Sequence, residues 1–305
     1  MGGTRFWNYA SDEAAITDLL RLARGMTYKN ALAGIPFGGG KSIIIRDDGA
    51  IDREKIFRTH GRFVETFGGR YITAQDVGTT PADMEFVRME TRHVAGLAGR
   101  SGDPSPFTAR GVFRALQAAA RHRWGSDALA GRTIALQGCG NVGYHLASHL
   151  HAAGARLIVT DVEAAKAERL VKEFGATAVA AEEIYRSEAD VFAPCALGGV
   201  LNDETTPQLK AEIVVGAANN QLLEARHGDT LARRRILYAP DYAASAGGVI
   251  SGCRELLGWE TAQASKKVDD IYDTVLAIFR MADAEGIAPS EAADRLAERR
   301  LATKN

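Results

Sequence analysis

A glycine-rich turn between an apolar run and a helical pattern constrains the fold of this chain more than any other feature. The turn consists of Gly138, Cys139, Gly140, Asn141, Val142 and Gly143, in the pattern G-x-G-x-x-G. It follows the apolar residues 134–136 and opens a predicted helix, and a second apolar run ends at Asp161. Strand, glycine turn, helix and second strand with a terminal carboxylate together form the fingerprint of a dinucleotide-binding βαβ unit.

Each part of this turn has a physical role in binding a dinucleotide. Gly138 permits the tight turn, Gly140 lets the backbone reach the pyrophosphate, and Gly143 lets the helix pack closely on the strand. The N–H groups and partial positive charge at the helix N-terminus favour phosphate. Asp161 would accept hydrogen bonds from both ribose hydroxyls and repel a 2′-phosphate, so the sequence predicts NAD as the cofactor in preference to NADP.

Short apolar runs continue to alternate with helical patterns along the rest of this region. They lie at 157–159, 191–193, 213–215 and 236–238. Continuous apolar strands between helices predict a parallel sheet covered on both faces. With 305 residues the chain is long enough for two domains. We therefore predict an α/β fold with a doubly wound, Rossmann-type domain and a second α/β domain.

The N-terminal third has a different order of elements. Helical patterns are expected at 11–33 and 53–67, and strands at 43–45 and 71–74. Thr80, followed by Pro81 and by Asp83 at the third helical position, predicts the start of another helix. Residues 99–106 are rich in Gly, Ser and Pro and are predicted to form a linker. Further helical patterns lie at 108–123 and 262–300.

Composition excludes several classes of function. Lys and Arg number 37 against 38 Asp and Glu, so there is no basic excess for nucleic acid or an anionic membrane. The N-terminus lacks the apolar region of a secretory signal, which favours a cytoplasmic protein. Three scattered cysteines suit neither a disulfide framework nor a zinc cluster. His145 and His149 are four apart on a helix but lack a third ligand, so no metal is expected.

Two lysines and an aspartate stand in settings that suit proton chemistry. Lys41 follows three glycines, where bare backbone and desolvation can lower its pKa. Asp76 follows an apolar segment, and a carboxylate beside such a lysine can exchange a proton with substrate. Lys29 lies near the end of the first predicted helix. Taken singly, each of these lysines would more often be a solvated surface charge. A phosphate-binding P-loop is disfavoured because Ile35 stands where the first glycine of that motif belongs.

The chain resembles the glutamate/leucine/phenylalanine/valine dehydrogenase family along essentially its whole length. The segments that carry the resemblance are 25–30, 38–41, 71–80, 190–198, 217–221 and 238–242. The resemblance implies an oxidoreductase that performs reversible oxidative deamination, in which an L-amino acid, NAD and water give a 2-oxo acid, ammonium and NADH. It also implies a homo-oligomer with substrate bound in a cleft between two domains.

The resemblance assigns roles to individual residues. Lys29 would bind the substrate carboxylate, Lys41 would activate water and stabilise the carbinolamine, and Asp76 would exchange the proton with the amino nitrogen. Asn219 would lie beside the nicotinamide and Asn220 beside the substrate. The residues expected around the substrate side chain are Gly3, Ala74, Val249 and Gly252.

The expected substrate is an apolar L-amino acid of the leucine or branched-chain type. Met1 stands where glutamate-specific members have a lysine that grips the side-chain carboxylate. Gly252 stands where a branched apolar residue is usual, which deepens the pocket and keeps a phenylalanine or aromatic preference as the alternative. The chain begins later than the family pattern, and Ser245 stands where the family has Asn, so a non-catalytic NAD-binding relative is a further alternative.

The resemblance and the element order together predict the domain boundaries. Residues 1–105 are assigned to the catalytic domain, which is shortened at its N-terminus. The C-terminal helices at about 262–305 are assigned to the same domain. Residues 106–261 are assigned to the NAD-binding domain.

Overall fold

The computed structural model describes residues 1–46, 49, 51–97 and 103–303. In it the chain divides into two units. The first is Met1–Pro104 with Ser251–Ala264, and the second is Ser105–Ile250 with Ser265–Asn305. No helix among the described residues is long and apolar enough to cross a membrane.

A small parallel sheet organises the first unit. Strand β1 (Thr4–Trp7) pairs with β2 (Ser42–Ile45), with Thr4 opposite Ser42. On the other edge of β1, the Thr4 N–H donates to the Ala74 carbonyl at 2.8 Å. The predicted strand at 71–74 is reduced to isolated bridges at Thr73 and Gln75. The chain segments before β1, before β2 and around residue 75 therefore lie side by side.

Three helices of the first unit begin at capping residues that the sequence supplies. They are α1 (Asp12–Leu32), α2 (Arg53–Glu65) and α3 (Pro81–Arg88). The Ser11 hydroxyl accepts the Ala14 N–H at the start of α1. Thr80 and Asp83 form a reciprocal capping box at the start of α3, which confirms the prediction there. The helices close over an apolar core that consists of Phe6, Phe57, Met84, Val87, Val94 and Leu97.

The second unit contains a six-stranded sheet in which all neighbouring strands are parallel, as predicted. Its strands are β3 (Thr133–Gln137), β4 (Arg156–Thr160), β5 (Thr177–Ala178), β6 (Val191–Pro194), β7 (Ile213–Val214) and β8 (Leu237–Tyr238). The spatial order is β5-β4-β3-β6-β7-β8. The order reverses between β3 and β6, and the carboxyl ends of strands at such a switch point form the usual ligand crevice of an open α/β sheet.

The remaining helices follow the strands or lie near the C-terminus. They are α4 (Ser105–Trp124), α5 (Asn141–Ala152), α6 (Ala164–Phe174), α7 (Arg226–Arg233), α8 (Asp241–Ala244), α9 (Gly247–Leu257), α10 (Thr261–Asp269), α11 (Ile271–Glu285) and α12 (Pro289–Ala302). The boundaries between the two units fall inside α9 and α10.

The two units differ from the predicted domains in their C-terminal parts. Helix α11 packs along α4 and α12 packs on α11, so these helices belong to the second unit, whereas 262–305 was predicted to complete the first. The apolar stripe of α11 is fully buried, but a stripe does not specify which neighbour covers it. Ser251–Ala264 belongs to the first unit, whereas residues 251–261 were predicted in the second domain. Helix α4 begins at Ser105, earlier than predicted, and the linker residues 99–102 lie outside the described part of the chain.

Candidate functional site

Lys41 and Asp76 lie in contact in the first unit. Lys41 directly precedes β2, and its Nζ lies 3.0 Å from Asp76 Oδ1. The Lys41 side chain is only 6% exposed, and this burial lowers its pKa against the opposing effect of the Asp76 charge. A lysine that is less basic than in water and touches a carboxylate is suited to exchange a proton with a bound substrate.

The glycines before Lys41 let the chain approach other backbone closely. A Cβ on Gly39 would fall 2.0 Å from the Thr27 nitrogen, in the last part of α1. A Cβ on Gly40 would fall 3.1 Å from the ring of Tyr71. The Asn30 side-chain amide, also on α1, donates to the Gly38 carbonyl at 3.1 Å. The loop is therefore held against α1 on one side and Tyr71 on the other, and this fixes the backbone position of Lys41.

Asp76 has a second cationic partner that sequence reasoning missed. Arg5 Nε donates to Asp76 Oδ2 at 2.9 Å, and Arg5 Nη1 donates to Asp18 Oδ2 at 2.9 Å. The Tyr9 hydroxyl also donates to Asp18. Burial and this hydrogen bond raise the pKa of Tyr9 to about 12. The sequence signal for Arg5 is its position as a charged residue inside a short strand, directly after Gly2-Gly3-Thr4 and between two buried positions.

The other residues predicted around the substrate have the following positions in the first unit. Lys29 is half-buried in the last turn of α1. Ala74 is half-buried, and its carbonyl accepts the Thr4 N–H. Gly3 is buried, and a Cβ there would fall 2.2 Å from the Gln75 carbonyl oxygen, so close packing already requires a glycine.

Gly252 lies within α9, and Val249 precedes it by three residues on the same helix. Outside that helix, Met1 Cε, at 3.9 Å, is the one described heavy atom within 4 Å of the position that a Gly252 Cβ would take. Next to Gly252, the Cys253 sulfur lies 3.6 Å from the Met1 sulfur. A side chain at position 252 would therefore make van der Waals contact with Met1.

Three glycines determine the shape of the turn in the second unit. Gly138 has a φ of +96°, and a Cβ there would fall 2.8 Å from Ala196. A Cβ on Gly143 would fall 1.9 Å from the Gly138 carbonyl oxygen. Gly140 is the N-cap of α5, and the structure describes no heavy atom within 4 Å of its Cβ position beyond its immediate neighbours. Two glycines are needed for packing, while the third leaves an open cradle at a helix N-terminus that suits phosphate.

Asp161 directly follows β4 and contacts this turn. Its Oδ2 accepts the Cys139 N–H at 2.6 Å, and its Oδ1 accepts the Glu163 N–H at 2.9 Å. Cys139 is itself buried, which raises the pKa of its thiol to about 12 and leaves it unreactive. Each Asp161 oxygen retains a further lone pair for a hydroxyl donor. The predicted ribose-binding carboxylate is therefore held rigidly beside the predicted phosphate-binding turn.

Asn219 and Asn220 follow β7 and are both exposed. Asn220 has a φ of +53°, and its carbonyl accepts the Gly199 N–H at 2.7 Å. The next residue, Gln221, donates its N–H to the buried Asp241 at 2.8 Å. These bonds fix the loop at the carboxyl edge of the sheet, on the β6 side of the glycine turn.

No group of three or more His, Cys, Asp or Glu side chains within 1–46, 49, 51–97 and 103–303 is arranged to hold a metal ion.

Asn141 and Val142, both predicted to contact the cofactor, form the first turn of α5 with Gly143.

An open glycine turn at the switch point of the parallel sheet, and a buried lysine–carboxylate pair in the first unit, are the features expected of a dehydrogenase. The chain belongs to the Glu/Leu/Phe/Val dehydrogenase family, which confirms the predicted resemblance. The family's dimerisation-domain model matches residues 1–93, and the Glutamate/Leucine/Phenylalanine/Valine dehydrogenase model matches 99–165 and 160–305.

Individual relatives differ in the amino acid that their names specify. The chain is 54% identical to a leucine dehydrogenase of Bacillus cereus, over 99% of this chain and 84% of the relative. It is 48% identical to a valine dehydrogenase of Streptomyces albus, over 99% of this chain and 85% of the relative. The crystal structure of L-tryptophan dehydrogenase from Nostoc punctiforme superposes with a TM-score of 0.90 at 47% identity, covering 99% of this chain and 88% of that one. The family fixes amino-acid dehydrogenation and leaves the amino acid open.

Proposed function

We propose that the protein catalyses NAD-dependent, reversible oxidative deamination of an apolar L-amino acid of the leucine or branched-chain type. The reaction converts the amino acid, NAD and water into a 2-oxo acid, ammonium, NADH and a proton. The observation that carries the proposal is the contact between Lys41 and Asp76, buried at 3.0 Å in the first unit. A solvated surface lysine would have neither the burial nor the lowered pKa.

The proton chemistry is divided between these two side chains. Lys41, when neutral, takes a proton from the water that adds to the α-carbon, and its ammonium form then stabilises the carbinolamine oxygen. Asp76 exchanges a proton with the amino nitrogen as ammonia leaves. Arg5 and Lys41 contact opposite oxygens of Asp76, so the carboxylate is held in one orientation. Lys29 binds the substrate carboxylate and fixes the α-carbon for reaction.

The glycine turn and Asp161 bind the cofactor in this proposal. When bound, NAD accepts the hydride from the α-carbon. Gly140 and the first turn of α5 hold the pyrophosphate, and Asp161 accepts hydrogen bonds from the ribose hydroxyls. The fixed negative charge of Asp161 disfavours a 2′-phosphate, which supports NAD over NADP. Asn219 and Asn220 contact the nicotinamide and the substrate.

We propose Gly3, Ala74, Val249 and Gly252 as the residues that determine which substrate side chain is accepted. Among these positions and Met1 no charged residue is available to bind a substrate carboxylate, which disfavours glutamate. The absence of a side chain at Gly252 supports a second candidate, an aromatic L-amino acid, because a glycine leaves more room for a larger substrate than a branched residue would. The L-tryptophan dehydrogenases of Nostoc punctiforme, 49% identical over 99% of this chain and 85% of their own length, support the same alternative.

We also propose that the protein is a homo-oligomer. The description of the family model that matches 1–93 as a dimerisation domain supports this. The first unit exposes large apolar side chains suited to a contact between copies, namely Trp7, Ile16, Leu20 and Ile45. A cytoplasmic location stays a prediction.

The test is the formation of NADH by the purified protein with NAD and a panel of L-amino acids. We expect turnover with L-leucine and L-valine, a measurable rate with L-phenylalanine or L-tryptophan, and none with L-glutamate. The reverse reaction, 2-oxo acid with ammonium and NADH, must obey the same preference. Binding of NADH without turnover in either direction would identify a non-catalytic relative and refute the proposal.

A further inference from the structure

A group of buried and half-buried polar side chains lies beside the Lys41–Asp76 pair without belonging to it. This hydroxyl cluster consists of Thr4, Ser42, His60, Tyr71 and Thr73. The Thr4 hydroxyl is its centre, in contact with Ser42 Oγ at 2.7 Å, Thr73 Oγ1 at 2.5 Å and His60 Nε2 at 2.9 Å. Ser42 Oγ lies 3.0 Å from the Tyr71 hydroxyl. Thr4 and Thr73 are completely buried.

One bond determines the direction of the others. The Tyr71 hydroxyl donates to the Gly2 carbonyl at 2.8 Å, because a carbonyl only accepts. Tyr71 therefore accepts from Ser42, so Ser42 accepts from Thr4 and Thr4 accepts from Thr73 and His60. His60 Nε2 must carry a proton, and burial lowers the pKa of His60 to about 4, so it is a neutral donor at neutral pH. The result is a single directed chain from His60 through Thr4, Ser42 and Tyr71 to the Gly2 carbonyl.

The members of this cluster contact the residues on both sides of Lys41. Ser42 follows Lys41 and is held by Thr4 and Tyr71. Gly40 precedes Lys41, and the Tyr71 ring lies against it. The Gly40 N–H also donates to the Met1 carbonyl at 3.0 Å, next to the Gly2 carbonyl that Tyr71 binds.

The same cluster also ties together the segments that carry the charged residues. Thr4 precedes Arg5, Ser42 follows Lys41, and Thr73 lies three residues before Asp76. We propose that Thr4 and Tyr71 are positioning residues, whose hydroxyls hold Ser42 and the Gly2 carbonyl and thereby fix the segment around Lys41 so that its Nζ stays on Asp76. The proposal rests on the proposed function for its catalytic consequence, but the position of Lys41 can be measured without turnover.

If Lys41 loses this positioning, its pKa should change in a predictable direction. The charged groups that act on Lys41 are Asp76, Arg5 and Asp18, and His60 is neutral. Burial outweighs Asp76 and lowers the pKa of Lys41. When Lys41 moves toward water it loses both influences, and because burial is the larger, its pKa rises.

The experiment uses Thr4→Val, which keeps the shape and removes the central hydroxyl, and Thr4→Ser, which restores it. Tyr71→Phe removes the terminal hydroxyl but keeps the ring on Gly40. Thr91→Val is the matched control, because Thr91 is buried in the same unit and its hydroxyl donates to Glu65, outside the cluster. The rate of acetylation of Lys41 by acetic anhydride, followed by peptide mass spectrometry against pH, reports its unprotonated fraction. kcat and KM for L-leucine are measured in parallel.

We expect the acetylation midpoint of Lys41 to rise by about one pH unit in Thr4→Val and Tyr71→Phe. We expect kcat to fall by about 10- to 100-fold, as for a small misplacement of a catalytic group, with NADH affinity unchanged. Thr4→Ser should recover most of both, and Thr91→Val should change only the melting temperature.

An unchanged midpoint and kcat in folded Thr4→Val or Tyr71→Phe would overturn the positioning role. If Thr4→Val does not fold, Tyr71→Phe decides alone. A shifted midpoint in a protein that turns over no amino acid would refute the proposed function and leave the positioning role standing.

Discussion

Replacing Gly252 by Val should change which amino acid the enzyme prefers. Gly252 lies within α9 with a φ outside the left-handed region, so a side chain is allowed there. Its Cβ would meet Met1 Cε at 3.9 Å, an ordinary contact. Exchanging a mid-helix glycine for valine contributes roughly 0.5 kcal/mol in favour of the helix. The fold should therefore tolerate the change, which argues against a glycine kept only for close packing.

The magnitude follows from the volume added. Valine adds two methyl groups beyond Cβ, each comparable to a methylene, in the space that a bulky substrate would use. Overpacking an aromatic substrate there costs about 1–3 kcal/mol, or about 5- to 150-fold in kcat/KM. L-leucine is smaller and should be turned over as well as before, or better.

The assay is the ratio of kcat/KM for L-leucine and L-phenylalanine before and after the change, with the melting temperature recorded for each variant. Gly252→Ala is the graded control, because it adds only the Cβ and should move the ratio less. An unchanged ratio with a lowered melting temperature would refute the reasoning and show that Gly252 serves the fold.

Further predictions concern the cofactor turn and the charges around Lys41. Gly143→Ala should lower the melting temperature, because its Cβ would fall 1.9 Å from the Gly138 carbonyl oxygen. Gly140→Ala should instead leave the melting temperature unchanged and weaken NADH binding, measured by fluorescence titration. Asp161→Ser should bring kcat/KM for NADP closer to that for NAD, and equal values in the unmutated protein would contradict the assigned role. Arg5→Gln should move the acidic limb of the kcat/KM profile to higher pH, because the Arg5 charge opposes protonation of Lys41, whereas Arg5→Lys should not.

The parts of the fold that depend on local patterns could be predicted from the sequence. The strand, glycine turn and helix around Gly138 were predictable because backbone geometry and apolar periodicity lie within one short segment. The start of α3 was predictable because Thr80 and Asp83 carry the capping signal themselves.

The remaining features depend on contacts between distant segments. The fully buried residues of α11 indicate that it is covered, but the packing on α4 is decided by shape complementarity that a single stripe does not encode. The pairing of Lys41 with Asp76 was expected only from the family resemblance. Arg5 was missed because one charged residue in a strand does not reveal its partner, and the hydroxyl cluster was missed because its members come from four separate segments.

The measurement that tests the central claim most directly is kcat for Lys41→Ala with L-leucine and NAD, alongside the affinity for NADH. The account predicts a loss of about 100-fold or more, as for removal of a general acid–base group. NADH affinity should be nearly intact, because the residues proposed to bind the cofactor belong to the second unit. Lys29→Ala should differ by raising KM for the amino acid as well. A Lys41→Ala variant that keeps more than about a tenth of kcat would put less than about 1.4 kcal/mol at stake and contradict the assigned role.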